Sequence, residues 1–184
     1  INMGDTTSFG GAIYSNGGSL NVNNSNFINI TSRGGNLVYG GVIYSENGGS
    51  ITVTNSNFIN TTARGVYTYG GAIYSKGSVT VTNSSFINTK VNGTLMGAGG
   101  AIFGSTGSNI NVFGSTFINT TALGESGEGG AISGMKNNIN VFGSTFINTT
   151  ALGESGEGGA ISGMKNNINV FGSTFINTTA LGES

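Results

Sequence analysis

The sequence predicts an all-β fold: a right-handed parallel β-helix of about six turns, each of 29–30 residues with three short strands. Three observations carry this prediction. A Gly-Gly pair returns at a fixed interval, apolar residues alternate with polar ones in a short stretch of every unit, and an Asn recurs at one place in each unit.

The Gly pairs stand at Gly10-Gly11, Gly40-Gly41, Gly70-Gly71, Gly99-Gly100, Gly129-Gly130 and Gly158-Gly159, so the intervals are 30, 30, 29, 30 and 29 residues. Residues 109–137 and 138–166 are the same 29 residues, and 167–184 begins a third copy. Ile1-Asn2 matches the Ile-Asn of a Phe-Ile-Asn element. Residues 1–184 are therefore expected to form one solenoid segment, open at both ends and part of a longer array.

Within a unit the first stretch is Gly11-Ala12-Ile13-Tyr14-Ser15, the second Leu20-Asn21-Val22-Asn23, and the third Phe27-Ile28-Asn29-Ile30-Thr31. Each is too short for a helix and is bounded by turn residues. In the second stretch Leu20, Ile51, Val79, Ile110, Ile139 and Ile168 pair with Val22, Val53, Val81, Val112, Val141 and Val170 two residues on. A period of two assigns both columns to the inside. In the first stretch Ile is constant while its successor changes from Tyr to Phe to Ser, which places the successor outside. The position Asn24, Asn55, Asn83, Gly114, Gly143, Gly172 suits a bend with positive φ. One turn buries too few large side chains to offset the entropy of ordering 30 residues, so stability must come from stacking, with turns about 4.8 Å apart and six of them about 29 Å tall. Asn29, Asn60, Asn88, Asn119, Asn148 and Asn177 are expected to superimpose as an internal asparagine ladder.

Composition agrees with a folded repeat. Gly accounts for 35 of 184 residues, Pro, Cys, His and Trp are absent, and only 7% of residues are charged. A disordered chain would be poor in apolar residues, whereas here 36% are hydrophobic and regularly placed. With a net charge of −1 there is no basic stripe for nucleic acid or an anionic membrane surface. No apolar run is long enough to span a membrane and no signal peptide is present; a chain opening at Ile1 rather than Met fits the loss of a targeting segment. The lack of Cys fits a reducing compartment or an exposed fibre that needs no staples.

Gly-Gly-Ala-Ile followed by Phe-x-Asn, as in Gly70-Gly71-Ala72-Ile73 and Phe86-Ile87-Asn88, resembles the Gly-Gly-Ala-Ile and Phe-x-x-Asn repeats of the chlamydial polymorphic membrane proteins. It is similar as well to the adhesin-like repeat proteins of methanogenic archaea and of bacteria. The Asn here follows Phe by two residues rather than three. The resemblance covers essentially the whole chain, and it implies right-handed β-helices displayed on a cell surface and used in adhesion.

Catalysis on such a rod needs clustered carboxylates with Arg or Lys. The sole Asp is Asp5, His is absent, and Arg33 and Arg64 fall at equivalent places in successive units, so no catalytic residue, cofactor or metal is expected. Glu125, Glu154 and Glu183 should stack, as should Glu128 and Glu157, as solvated loop charge. Tyr14, Tyr44, Tyr74 and Phe103 should form one outward ladder and Phe113, Phe142 and Phe171 another, both candidates for lateral packing of rods or ligand contact. Asn-x-Ser/Thr occurs at Asn23, Asn29, Asn60, Asn83, Asn92, Asn119, Asn148 and Asn177. With five of these in an internal ladder, Asn23, Asn83 and Asn92 are the expected glycan acceptors. The Thr52/Thr54 and Thr80/Thr82 ranks, on only two turns, are too small a patch for ice binding. The expected function is that of an extracellular structural repeat protein forming a fibre, stalk or filament, with an adhesin module binding glycans or proteins as the alternative. The expected partners are further copies or repeats of itself.

Overall fold

The computed structural model describes residues 6–182, so the positions expected of Ile1, Asn2, Asp5 and Glu183 lie outside the described residues. It is a parallel β-solenoid of about six turns with no helix among the described residues. One turn runs through Ile43–Glu46, Ser50–Thr54, Asn57–Ile59 and Thr62–Tyr69. Like strands from successive turns pair in parallel and build four sheets, called here the Ile, Val, Phe and arm sheets. The first three each have six strands. They contain the three strands expected in each turn. The arm sheet has ten strands and comes from the segment between Phe-Ile-Asn and Gly-Gly, which reads in the sequence as a surface connection.

The register is columnar. Ile73 pairs with Ile43 and Ile102, Val81 with Val53 and Val112, and Phe86 with Phe58 and Phe117. These columns fill one lumen together with Ala72, Ala101 and Ala131, and every one of these side chains is fully buried. The Phe rings lie face to face from Phe27 to Phe175, with centroids 4.7–4.9 Å apart, so their spacing is that of the strands themselves. In the last described turn Ile168, Val170 and Phe175 are exposed because nothing is stacked on them.

The Gly pair is required at both of its positions. Gly70 has φ +70°, and a Cβ there would stand 2.1 Å from the carbonyl oxygen of Ile73. Gly71 touches the next turn, where a Cβ would meet the carbonyl oxygen of Gly100 at 2.0 Å. The bend between Val and Phe strands has positive φ at Asn24, Asn55, Asn83, Gly114, Gly143 and Gly172, as the sequence predicts.

Candidate functional site

The asparagine column does form a ladder. Asn60 Nδ2 donates to Asn29 Oδ1 at 3.0 Å, and the chain of bonds continues through Asn88, Asn119, Asn148 and Asn177 at 3.0–3.2 Å. It is not internal, however. All six residues are exposed, at the bend between the Phe and arm sheets, with φ between +51° and +58°. A left-handed corner residue points its side chain away from the lumen, and Asn is the non-glycine residue that tolerates that conformation best. The sequons at Asn29, Asn60, Asn119, Asn148 and Asn177 are therefore as exposed as Asn23 and Asn83, while Asn92 is half-buried.

The internal polar ladder is made of serine. At the bend from Val to Phe strand, the backbone N–H of Ser25, Ser56, Ser84, Ser115 and Ser144 each donates to the hydroxyl of the serine in the next turn at 3.1 Å. From Ser56 to Ser144 each hydroxyl in turn donates to the carbonyl two residues back at 2.8–3.0 Å. The Ser-x-Phe pattern was visible in the sequence, but a small hydroxyl signals neither inside nor outside until its partner is known.

Two aromatic columns differ in what covers them. Tyr44, Tyr74 and Phe103 point away from the lumen yet are only 1%, 5% and 4% exposed; Tyr14, in the first turn, is 50% exposed. The arm sheet closes over them, and Tyr39, Tyr69, Met96 and Ala98 complete a second core. Tyr74 thus lies 4.7 Å from the Tyr39 ring edge-on and 5.3 Å from Tyr44 face-on. Tolerance of Tyr, Phe and Ser at this position reflects a change of partner rather than exposure. The arm column that faces it runs Tyr39, Tyr69, Ala98, Glu128, Glu157 in register, so an aromatic pair low in the rod becomes a Glu–Ser pair higher up. Glu128 is consequently buried rather than a solvated loop charge. Burial first and then the charge of Glu157 push its carboxyl up. Glu125 and Glu154 do lie exposed on the loop edge.

The second column, Phe113, Phe142 and Phe171, stands on the outer face of the Val sheet, 38%, 36% and 60% exposed, with centroids 5.4 Å apart and planes within 8° of parallel. Each ring covers the face of its neighbour, so solvent meets mostly ring edges. Beside them Asn140 donates to Asn111 at 2.9 Å and Asn169 to Asn140 at 2.8 Å.

At the other end of the rod Glu46 gathers three partners. Tyr14 and Tyr44 hydroxyls both donate to it, Tyr44 at 2.8 Å, and Lys76 Nζ approaches to 3.5 Å. These bonds, Tyr14 first, hold the Glu46 carboxyl below its usual range, while burial pushes the Tyr44 phenol up. Tyr69, also by burial, is pushed up to about 12. The cluster is an outer clasp between turns. Among the described residues no three of His, Cys, Asp and Glu come together.

Comparison with family models, with curated proteins and with solved structures returned no match. Among the described residues no helix is long and apolar enough to cross a membrane.

Proposed function

We propose that this chain is a structural element of an extracellular fibre, stalk or surface filament, a rod that extends by adding turns. One observation carries the reading: in the Ile, Val and Phe sheets every turn stacks on the next in register, and the identical copies place Ile on Ile, Val on Val and Phe on Phe. The upper and lower faces of any turn are thus complementary to each other, which is the condition for head-to-tail growth. The flanks carry Asn in hydrogen-bonded ladders with few charges, a surface that is finished in itself. The resemblance to surface-displayed repeat proteins supports the extracellular location.

The test is electron microscopy of the purified chain over a concentration series. Rods well beyond the ~29 Å of six turns are expected. Discrete short particles at every concentration would overturn the reading.

The Phe113–Phe142–Phe171 stripe favours a second reading, adhesion through the flank. Stacking hides the ring faces that a sugar would need, so the stripe suits apolar contact between rods or with a protein. Changing Phe142 to Ser should abolish lateral bundling while leaving rod length unchanged.

A further inference from the structure

The outer face of the arm sheet carries a patch of opposite character to the rest of the rod. Arg33 and Arg64 are directly paired in neighbouring strands, and Lys90 follows in the next turn, paired with Thr62 two residues before Arg64. Three of the chain's six cationic residues thus meet on one face of a protein whose net charge is −1. Both Arg side chains are exposed, and the ion pair Lys76–Glu46, the one found among the described residues, lies elsewhere. Like charges set opposite each other in a sheet repel, so this pairing costs stability unless something neutralises it.

The cations also have a built space in front of them. The glycine bend Gly34-Gly35 and the irregular register between Gly65 and Tyr67 open a cleft of about 360 Å³. Arg33 and Arg64 line it together with these glycines, Val66 and Thr94, with no carboxylate among the lining residues. A guanidinium presents a fork of donors that matches the two oxygens of a carboxylate or sulfate, and two such forks one strand spacing apart, about 4.8 Å, can share or bracket one oxoanion.

We infer that this cleft binds the carboxylate or sulfate groups of an acidic polysaccharide. The cations rise turn by turn, Arg33 and Arg64 in register and Lys90 two residues to one side, so they suit a linear polyanion better than an isolated anion. Three charges are too few for the extended phosphate contacts that hold a nucleic acid duplex. The site is separate from the stacking faces of the rod, so it stands or falls independently of filament growth.

The experiment is binding of a sulfated glycosaminoglycan and of polygalacturonate to the intact chain by calorimetry at low salt, with duplex DNA as a third probe. Arg33→Gln/Arg64→Gln should bind about tenfold more weakly or worse. Its thermal midpoint without ligand should be unchanged or slightly raised, which also shows that the variant folds. Lys136→Gln/Lys165→Gln removes a second pair of exposed like charges in successive turns, on the bend after Met135 and Met164. It should change affinity less than twofold, roughly the effect of weak long-range charge alone. Whichever polysaccharide binds better identifies sulfate or carboxylate as the preferred group. Equal losses in the two double variants, equal binding of DNA, or no binding of either polysaccharide would each overturn the proposal.

Discussion

The lower and upper halves of the rod share one backbone and fill the space between the Ile and arm sheets with opposite chemistry. Below, Tyr39 and Tyr69 interleave with Tyr44, Tyr74 and Phe103 in a dry aromatic stack. Above, the same positions hold Glu128 and Glu157 against Ser133 and Ser162. The column continues across the boundary: Tyr69 pairs with Ala98 and Ala98 with Glu128. The contrast separates what sets the fold from what decorates it. Gly pairs, left-handed corners and lumen columns are constant in both halves and dictate the coil. The second core is free to vary, provided that both facing columns change together.

Breaking a constant element should cost most. Phe86→Ala empties a fully buried place between Phe58 and Phe117. It should destabilise by about 3–5 kcal/mol, measured by denaturant unfolding. A loss below about 1 kcal/mol would mean that the lumen collapses around the gap.

Tyr74→Ser puts upper-half chemistry into the lower half without its Glu partner, leaving a cavity beside Tyr39 and Phe103. A loss of about 2–4 kcal/mol is expected. Comparison with Tyr69→Glu/Tyr74→Ser shows whether the columns are coupled: if so, the double variant loses less than the sum of its two single changes.

Asn88→Ala removes ladder bonds to Asn60 and Asn119 and forces Ala to φ +54°. The expected cost is about 1–2 kcal/mol, most of it backbone strain. Asn88→Gly, which keeps the conformation but not the ladder, should recover more than half of it. Recovery of none would assign the cost to the amide bonds.

The smallest effect belongs to the upper half. Burial and Glu157 raise the Glu128 carboxyl in the folded chain above its ordinary value of 4.5, so the folded state holds that proton more tightly than the unfolded state does. Stability should therefore fall as pH rises from about the ordinary value through the raised one, and stay lower above it. Glu128→Gln should raise the thermal midpoint at pH 7 and leave it nearly unchanged at pH 4. Equal shifts at both pH values would show that packing, not ionisation, governs the site.

How much was legible in the sequence follows from the same division. Strand position, turn length, lumen columns and the left-handed bends at Asn24 and its equivalents could be read because each repeats six times and each rests on a local rule, a period of two or a glycine's freedom. The asparagine ladder could be read as a column but not placed, since recurrence gives superposition and says nothing of which way a corner side chain points. The serine ladder went unread because its hydroxyls find their donors only across turns.

The sequence by itself, then, determined a coil of stacked strands, because a repeated pattern of apolar and glycine residues is satisfied only by copies lying over one another. Tertiary structure alone decided which surfaces remain open. The extra sheet that covers Tyr44, Tyr74 and Phe103 brings Tyr39, Tyr69 and Ala98 back over them from five residues away, across the bend at the Gly-Gly pair, and burial is a property of what packs on a side chain rather than of the side chain itself.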